Sequence, residues 1–479
     1  MHVPLLIIGG GLSGLAAAIR LARFHPGRSS SIPGASDTKP SLACDVLILE
    51  KHSRVGGLNS YYYRNNSLLE TGLHAITNFA PPLDKSAPLN RLLRQLKLRR
   101  KDFTFHEQIK SEIFFANQET LSFSNDFALL HHEIVTKFPG SSAGFTRLLQ
   151  IVREYDPFQA APFRSARSLL TATLDDRLLV DMLLCPLMYY GSSVENDMDL
   201  GQFVIMFQAI FLEGMFRPEG SIKDFLEILL RQYQEFGGKI RLQATVARII
   251  HQDKKVTGVE LSNGEVITCD FLLSTIGHEE TLAALTVQPV HRQRPRLGFI
   301  ESIFHLPAGC QQHLPRDKTI IFFNTNEKFR YQRPVNRVDY SSGVICFPGN
   351  FQGLKPQPYL ELRATHLADY DGWKSLAANR PAYLAAKRDT ANLSKLALEK
   401  IIGNFKQDIV YEDTFTPLTI ERFTSKKEGA IYGSPDKIKD GDIGYHNLFL
   451  AGTDQGFLGI VGSMLSGVSM VNRHILSRF

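Results

Sequence analysis

The chain has 479 residues, 43% of them hydrophobic, with a formal net charge of +6 and a pI near 8.9. That length and apolar share can bury an ample core and predict two domains. The five cysteines, Cys44, Cys185, Cys269, Cys310 and Cys346, are odd in number and lack metal-ligand spacing, which argues against a disulfide framework or a zinc site and fits a reducing, cytoplasmic compartment. The basic balance suits an anionic membrane surface, but nothing clusters strongly enough for nucleic acid. No run reaches the roughly 18–20 apolar residues that span a bilayer.

The opening run His2-Val3-Pro4-Leu5-Leu6-Ile7-Ile8 reads as a strand, breaks into Gly9-Gly10-Gly11-Leu12-Ser13-Gly14 and continues as an alanine-rich helix over residues 15–23. Residues 5–22 are apolar enough to suggest a signal peptide, but the glycines and the strand that follows explain them better. Strand, glycine turn and helix N-terminus present free N–H groups and a partial positive charge to a pyrophosphate. Gly9 makes the tight turn, Gly11 admits the phosphates and Gly14 lets the helix lie against the strand. A second strand, Asp45-Val46-Leu47-Ile48-Leu49, ends in Glu50, where a dinucleotide-binding unit places an acid for a ribose hydroxyl. The gap to that acid exceeds the usual about twenty residues. The excess is the Gly, Pro and Ser-rich stretch 23–41, a loop insertion whose closure costs little. Glu50 is followed by Lys51 and then by the pair Gly56-Gly57, which suits a cofactor that passes deep into the protein.

Farther along, Leu92 to Lys101 with Arg91, Arg94, Lys97, Arg99 and Arg100 is the densest basic stretch, either a solvated helix face or a helix lying on lipid headgroups. Residues 177–184 repeat as an apolar helix, and 185–190 with 203–212 are apolar nearly all round, which means buried core or the wall of an apolar cavity. Strands are expected over 239–246, 256–261, 266–268 and 271–275, with an Asn263-Gly264 hairpin turn among them. A further strand is expected at 319–323, and a helix over 382–402 that starts at Pro381 and stops at Gly403. Near the end, residues 447–454 read as a strand closing on Gly452 and Asp454, the latter placed to bond a ribityl hydroxyl. Val461-Gly462 resembles a helix start whose N-terminus would stabilise charge on a reduced flavin.

These motifs resemble the FAD-dependent phytoene desaturase, carotenoid isomerase and retinol saturase group within the amine oxidase-like flavoproteins. The likeness rests on GGGLSGLAAAIRLA with LILEKHSRVGG, on Leu68-Leu69-Glu70-Thr71-Gly72-Leu73-His74, on 216–222 with 237–240 and 244–246, and on 428–433 paired with GTDQG and GSMLSG. Leu58 stands where many relatives carry arginine, and Glu219-Gly220 replaces a common double glycine. The resemblance implies an α/β, glutathione reductase-like Rossmann FAD-binding domain with a parallel sheet and β-meander, plus a mixed α+β substrate domain. It assigns 1–80, 214–277 and 415–479 to the first, and 81–213 (mainly helical) and 278–414 to the second. It implies non-covalent FAD held by Gly9, Gly11, Leu12, Ser13, Gly14, Glu50, Lys51, Gly56, Gly57, Leu58, Gly72, His74, Val246, Gly452, Asp454, Val461 and Gly462, and no metal.

A flavin accepts hydride at N5, so the protein must place a C–H bond there and exclude water. His74, beside the ring by resemblance, either shuttles a proton or is a structural histidine. Glu70 fixes its loop, and Glu195, Asp197, Asp199 and Glu213 are further candidates for a general base or ordinary surface charges. The favoured function is desaturation, saturation or isomerisation of a long apolar isoprenoid, carotenoid or retinoid. The partner is then a lipid substrate, with a peripheral membrane surface as the place of entry. An amine oxidase and a non-enzymatic prenyl-lipid escort of the same fold remain open.

Overall fold

The computed structural model describes residues 1–24, 45–116, 119–159, 161–287, 296–312 and 314–478, so most of the inserted stretch 23–41 lies outside the described residues. The first layer is a seven-stranded sheet of β1 (His2–Ile8), β2 (Val46–Leu49), β3 (Lys239–Arg241), β4 (Val246–Gln252), β5 (Lys255–Leu261), β6 (Val266–Ser274) and β7 (Leu448–Leu450). Strands β3, β2, β1, β6 and β7 run parallel in that order. The antiparallel β4 and β5 feed into β6 as a meander, so the expected α/β fold with parallel sheet and meander is present. Strand β1 is apolar along its length because both faces are covered: Leu5 and Ile7 point into one core, Val3, Leu6 and Ile8 into another.

Two details differ from the sequence reading. The expected strand 239–246 is only β3, after which the chain turns through residue 245 and β4 begins at Val246. The separate strands 266–268 and 271–275 are one strand, β6. Its first half pairs with β5 and its second half with β7, which gives each half the look of an independent short strand.

The N-terminal helix Leu12–Ala22 lies close against the C-terminal helix Gly459–Met470 because Gly467 brings no side chain to the crossing, while Gly14 lets the N-terminal helix lie close to the turn after β1. A Cβ on Gly467 would stand 2.1 Å from the Ser13 carbonyl oxygen, and one on Gly14 would stand 2.0 Å from that of Gly9.

The second layer is a seven-stranded, mainly antiparallel sheet in the order Tyr411–Phe415, Gly298–Pro307, Tyr359–Ala368, Ser342–Cys346, Ile320–Asn324, Ser111–Phe115, Thr120–Phe123. Ile320 and Phe322 face the helices Arg177–Gly191 and Leu200–Phe207, while Ile321 and Phe323 face the helix Arg380–Ile402. That long helix has Pro381 in its first turn and ends at Gly403, as expected. The block 81–213 is not helical throughout, since it also supplies two strands of this sheet. Its first helix, Pro88–Gln95, packs in the core of the first layer through Leu89, Leu92 and Leu93. The basic stretch therefore spends its leucines, with Leu96 and Leu98, on the protein's own core, while Arg91, Arg94, Lys97 and Arg99 stay exposed.

A chain of buried charges ties the layers together. Arg363, fully buried on the strand Tyr359–Ala368, meets Glu301 at 3.0 Å and Glu361 at 2.5 Å, and donates to the Glu70 carbonyl at 3.0 Å. Arg217 bonds the Glu70 carboxylate at 2.5 Å and the Leu73 carbonyl at 3.2 Å. Burial alone would push the Glu361 carboxyl up, but Arg363 and His305 outweigh it and hold it at about 2. Its partner Arg363 is held above the usual arginine range despite burial, chiefly by Glu361 and Glu301.

Two stability predictions follow from this packing. Gly467→Ala lowers stability by about 1–3 kcal/mol through overpacking at the helix crossing. Gly140→Ala, whose Cβ meets nothing within 4 Å, leaves the Tm unchanged. A folded carboxyl depressed to about 2 from an ordinary value of 4.5 adds stability that is complete above pH 4.5 and is lost as pH falls toward 2. Glu361→Gln costs about 3–5 kcal/mol at neutral pH by leaving Arg363 short of a partner. In urea unfolding followed across pH, it also flattens the acid limb.

Candidate functional site

The C-terminal ends of β1, β2 and β6 and the turn after β7 open onto one cavity of about 940 Å³, the place where open parallel sheets bind ligands. Gly9, Gly11, Leu12 and Ser13 line it from the first turn, Glu50 and Lys51 from the end of β2, and Gly56, Gly57 and Leu58 from the loop beyond. Gly72 and His74, Val246 at the start of β4 and Gly452 after β7 complete the set of expected residues that reach it. The helix Leu12–Ala22 has no side-chain cap and no acid in its first turn, so its N–H groups and positive end face the cavity unmatched. The Glu50 carboxylate accepts from the Gly10 N–H at 2.7 Å and the His52 N–H at 2.8 Å, which locks the glycine turn to the end of β2. Lys51 donates to the Ser425 hydroxyl across the cavity's rim.

A flavin dinucleotide needs bare backbone at its phosphates, and the cradle supplies it. Gly11 and Gly57 face each other, so a Cβ on Gly57 would stand 3.3 Å from the Gly11 Cα. Opposite the first helix, Gly459, Ile460 and Ser463 from the first turn of the C-terminal helix line the cavity, again with neither a side-chain cap nor an acid. The residues present therefore fit a dinucleotide.

Four expected cofactor residues do not line the cavity. Gly14 lies beneath the turn, against the Gly9 carbonyl. Val461 is buried in the first core and Gly462 faces Phe457, because the helix begins at Gly459 and these two positions fall on its far side. Asp454 is fully buried and accepts from the His278 and Ser434 N–H groups, each at 2.7 Å. Burial pushes its carboxyl up, yet Lys426, Lys437 and those backbone bonds hold it at about 2, so it is a structural anion.

None of the four flanking acids lines the cavity either. Glu195 accepts from Arg333, Asp197 from Arg167, and Asp199 caps the helix Leu200–Phe207. Glu213, which burial pushes up, bonds Asn78 at 2.8 Å beside a separate pocket.

Deeper in, the cavity is walled by Ala75, Tyr189, Tyr190, Met206, Phe299, Val344, Ile431 and Tyr432. Both readings of 185–212 hold in part: Tyr189, Tyr190 and Met206 form wall, while Phe203, Phe207 and Phe211 are core. His74 projects here, its Nε2 2.7 Å from Glu301 Oε2, while its Nδ1 makes no hydrogen bond among the described residues. Burial alone would push Glu301 up, but His74 and Arg363 hold it below the usual carboxylate range. Thr365 donates to the same Glu301 oxygen at 3.3 Å. Glu70, as expected, is a clamp, accepting from the Ile222 N–H as well as from Arg217.

Sequence reasoning missed Glu301, Thr365, Arg363 and Lys426, the last a nearly buried cation on the cavity wall that donates to Thr453 Oγ1 at 3.2 Å. The available signal was a lone acid in the apolar run 298–307 and an arginine in a strand buried on both sides, since charges there need partners.

Residues 12–350 match the flavin-containing amine oxidoreductase family. Among curated relatives, a 4,4'-diapophytoene desaturase (4,4'-diaponeurosporene-forming) of Staphylococcus haemolyticus is 22% identical over 90% of this chain and 88% of its own. A 4,4'-diaponeurosporene oxygenase of Staphylococcus aureus is 23% identical over the same shares. Among solved structures, an oxidoreductase from Methanosarcina mazei superposes with a TM-score of 0.68 at 14% identity, covering 99% of this chain and 100% of its own, which supports the fold. The chain belongs to the flavin-containing amine oxidoreductase family and is an FAD-dependent oxidoreductase.

Proposed function

We propose that this enzyme desaturates, saturates or isomerises C–C and C=C bonds of a long isoprenoid, of the carotenoid or retinoid kind. The observation that carries the proposal is the continuity of the cradle with an apolar arm, walled by Ala75, Met206, Phe299, Val344 and Ile431. The curated relatives support it, since the named substrates of both are C=C-rich isoprenoids. FAD, when bound, supplies the two-electron acceptor or donor.

In this reading Gly11, Leu12 and Ser13 hold the pyrophosphate at the first helix N-terminus, Glu50 faces the adenosine ribose and the Val246 main chain meets the adenine. Gly56, Gly57, Leu58 and Gly72 border the ring system, and Gly452 with the start of the C-terminal helix closes the far side. The cofactor domain is built from 1–80, 214–277 and 415–479 and the substrate domain from the two blocks between, with the helix Pro88–Gln95 reassigned to the former by its packing. His74 is the acid–base residue: Glu301 occupies Nε2, so a proton is gained or released at Nδ1.

Expression in a host that makes isoprenoid lipids, with mass analysis of the extract, tests the assignment. Gain or loss of hydrogen pairs, or unchanged mass with altered retention, is the expected result. Hydrogen peroxide released with amines, with no change in lipids, would move the enzyme to amine oxidation. Failure of the purified chain to take up FAD would leave only a lipid-escort role. His74→Ala should lower kcat by about 10²–10⁴-fold with FAD affinity retained.

We also propose charge-only association with anionic membranes through Arg91, Arg94, Lys97 and Arg99, which stay exposed. Reversing these four charges should abolish pelleting with phosphatidylserine vesicles, and about 0.5 M salt should do the same to the unaltered enzyme.

A further inference from the structure

Seven lysines and arginines line the cavity against three carboxylates, Glu50, Glu301 and Asp413, a surplus of four on a chain whose whole net charge is +6. The three acids are already committed. Glu50 accepts from the Gly10 and His52 N–H groups, and Glu301 meets His74 and Arg363. Asp413 meets the Tyr62 hydroxyl at 3.0 Å and Lys387 Nζ at 3.7 Å. Of the seven cations, Lys387 alone has a carboxylate within 4 Å among the described residues. The pyrophosphate of a dinucleotide answers about half of the surplus, at the cradle.

The rest stands on a part of the wall where three elements converge on Asp413. The strand Tyr411–Phe415 pairs with the strand Gly298–Pro307 so that Phe415 lies opposite Glu301. Asp413 is two residues farther on, about 7 Å along the strand and on the same face as Phe415. The strand Tyr61–Arg64 reaches Asp413 through Tyr62, and the helix Arg380–Ile402 reaches it through Lys387. Arg380, Tyr383, Leu384 and Lys387 all line the cavity, and their spacing of three and four residues makes them one face of that helix. Arg64 and Arg380 are both exposed. Arg380 stands in the first turn of its helix, where a cation is disfavoured and no acid offsets it.

Cations without counter-ions around the opening of a low-dielectric cleft concentrate anions there. The side chains beside them, Tyr62, Tyr383, Leu384 and Phe415, suit an apolar chain. Resting on the isoprenoid reading above, we propose that the substrate's outer end carries an anion, a carboxylate or a phosphate, held by Arg64 and Arg380, while its chain runs inward past Tyr62 and Phe415 toward His74. The substrate class is then an anionic isoprenoid amphiphile rather than a neutral hydrocarbon. Arg64 and Arg380 are the residues that set this specificity.

The test uses the purified FAD-loaded enzyme and equilibrium dialysis of three radiolabelled probes that share one chain: farnesoic acid, farnesyl phosphate and farnesol. At low salt one of the anions should bind at least about tenfold more tightly than the alcohol, and the tighter of the two names the headgroup. About 0.5 M salt should erase most of that preference. The double variant Arg64→Gln with Arg380→Gln should erase it too, while sparing affinity for farnesol, FAD content and Tm, since neither arginine has an ion pair to lose. The variant should also pellet with phosphatidylserine vesicles as the unaltered enzyme does. Equal affinities for the three probes, or a preference that survives in the double variant, would overturn the proposal and leave the isoprenoid reading intact. So would lost pelleting with the preference kept, which would give these arginines to a lipid surface. A chain that binds none of the probes, or takes up no FAD, would instead sink the readings beneath it.

Discussion

A single guanidinium with no contact to solvent sets the geometry on which the site depends. Burying Arg363 costs several kcal/mol unless its charge is met at close range, so the groups around it cannot drift without leaving an unpaired ion inside the protein. Glu301 and Glu361 flank it from neighbouring positions in the second sheet, and the Glu70 carbonyl approaches from the loop that leads to His74. Arg217 holds the same loop at the Leu73 carbonyl and the Glu70 carboxylate. His74 is thus positioned twice, its backbone by two arginines and its ring by the Glu301 oxygen that Arg363 leaves free. Three carboxylates, Glu70, Glu301 and Glu361, face two guanidiniums, and His74 adds a partner for Glu301 and His305 one for Glu361.

The other end of the cavity is governed by what the helices lack. Several helices here are capped by a side chain at the N-terminus, among them Asp126, Ser165, Asp176, Asp199, Asn379 and Thr416. The N-terminal and C-terminal helices that open on the cavity have no such cap and no acid in the first turn. Each leaves about half a unit of positive charge and its first N–H groups to whatever lies between. Both helix starts line the same cavity, although they come from opposite ends of the sequence.

This contrast also explains what could be read from the sequence. The cradle was legible because its information is local: a strand, a turn and a helix start within a dozen residues carry both the backbone shape and the binding chemistry. The same locality misled at Asp454, where the residue type was right but Gly452, at a φ of 102°, turns the chain so that the acid points to His278 and Ser434. The leucines of 92–98 have the spacing of a lipid-facing helix, yet any amphipathic helix has it, and only the tertiary fold says which apolar surface covers them. Glu301 and His74 are separated by 227 positions in the chain, and no periodicity links them. Their pairing is a property of how two sheets meet, although an acid amid the apolar run 298–307 was a sign that some partner existed.

The arm beyond His74 joins these threads. Its wall is largely aliphatic and aromatic, and in that setting His74 and Arg363 hold the Glu301 carboxylate below its usual range against the effect of burial. The carboxylate occupies Nε2, and Nδ1 makes no hydrogen bond among the described residues. Phe299, Ile431 and Tyr432 line the cavity together with His74. The ion chain behind it contributes stability that is lost as pH falls toward 2, and a well-packed hydrophobic core could supply as much. That ion chain does one thing an apolar core cannot do, which is to hold the His74 ring against a carboxylate at the edge of an apolar cavity.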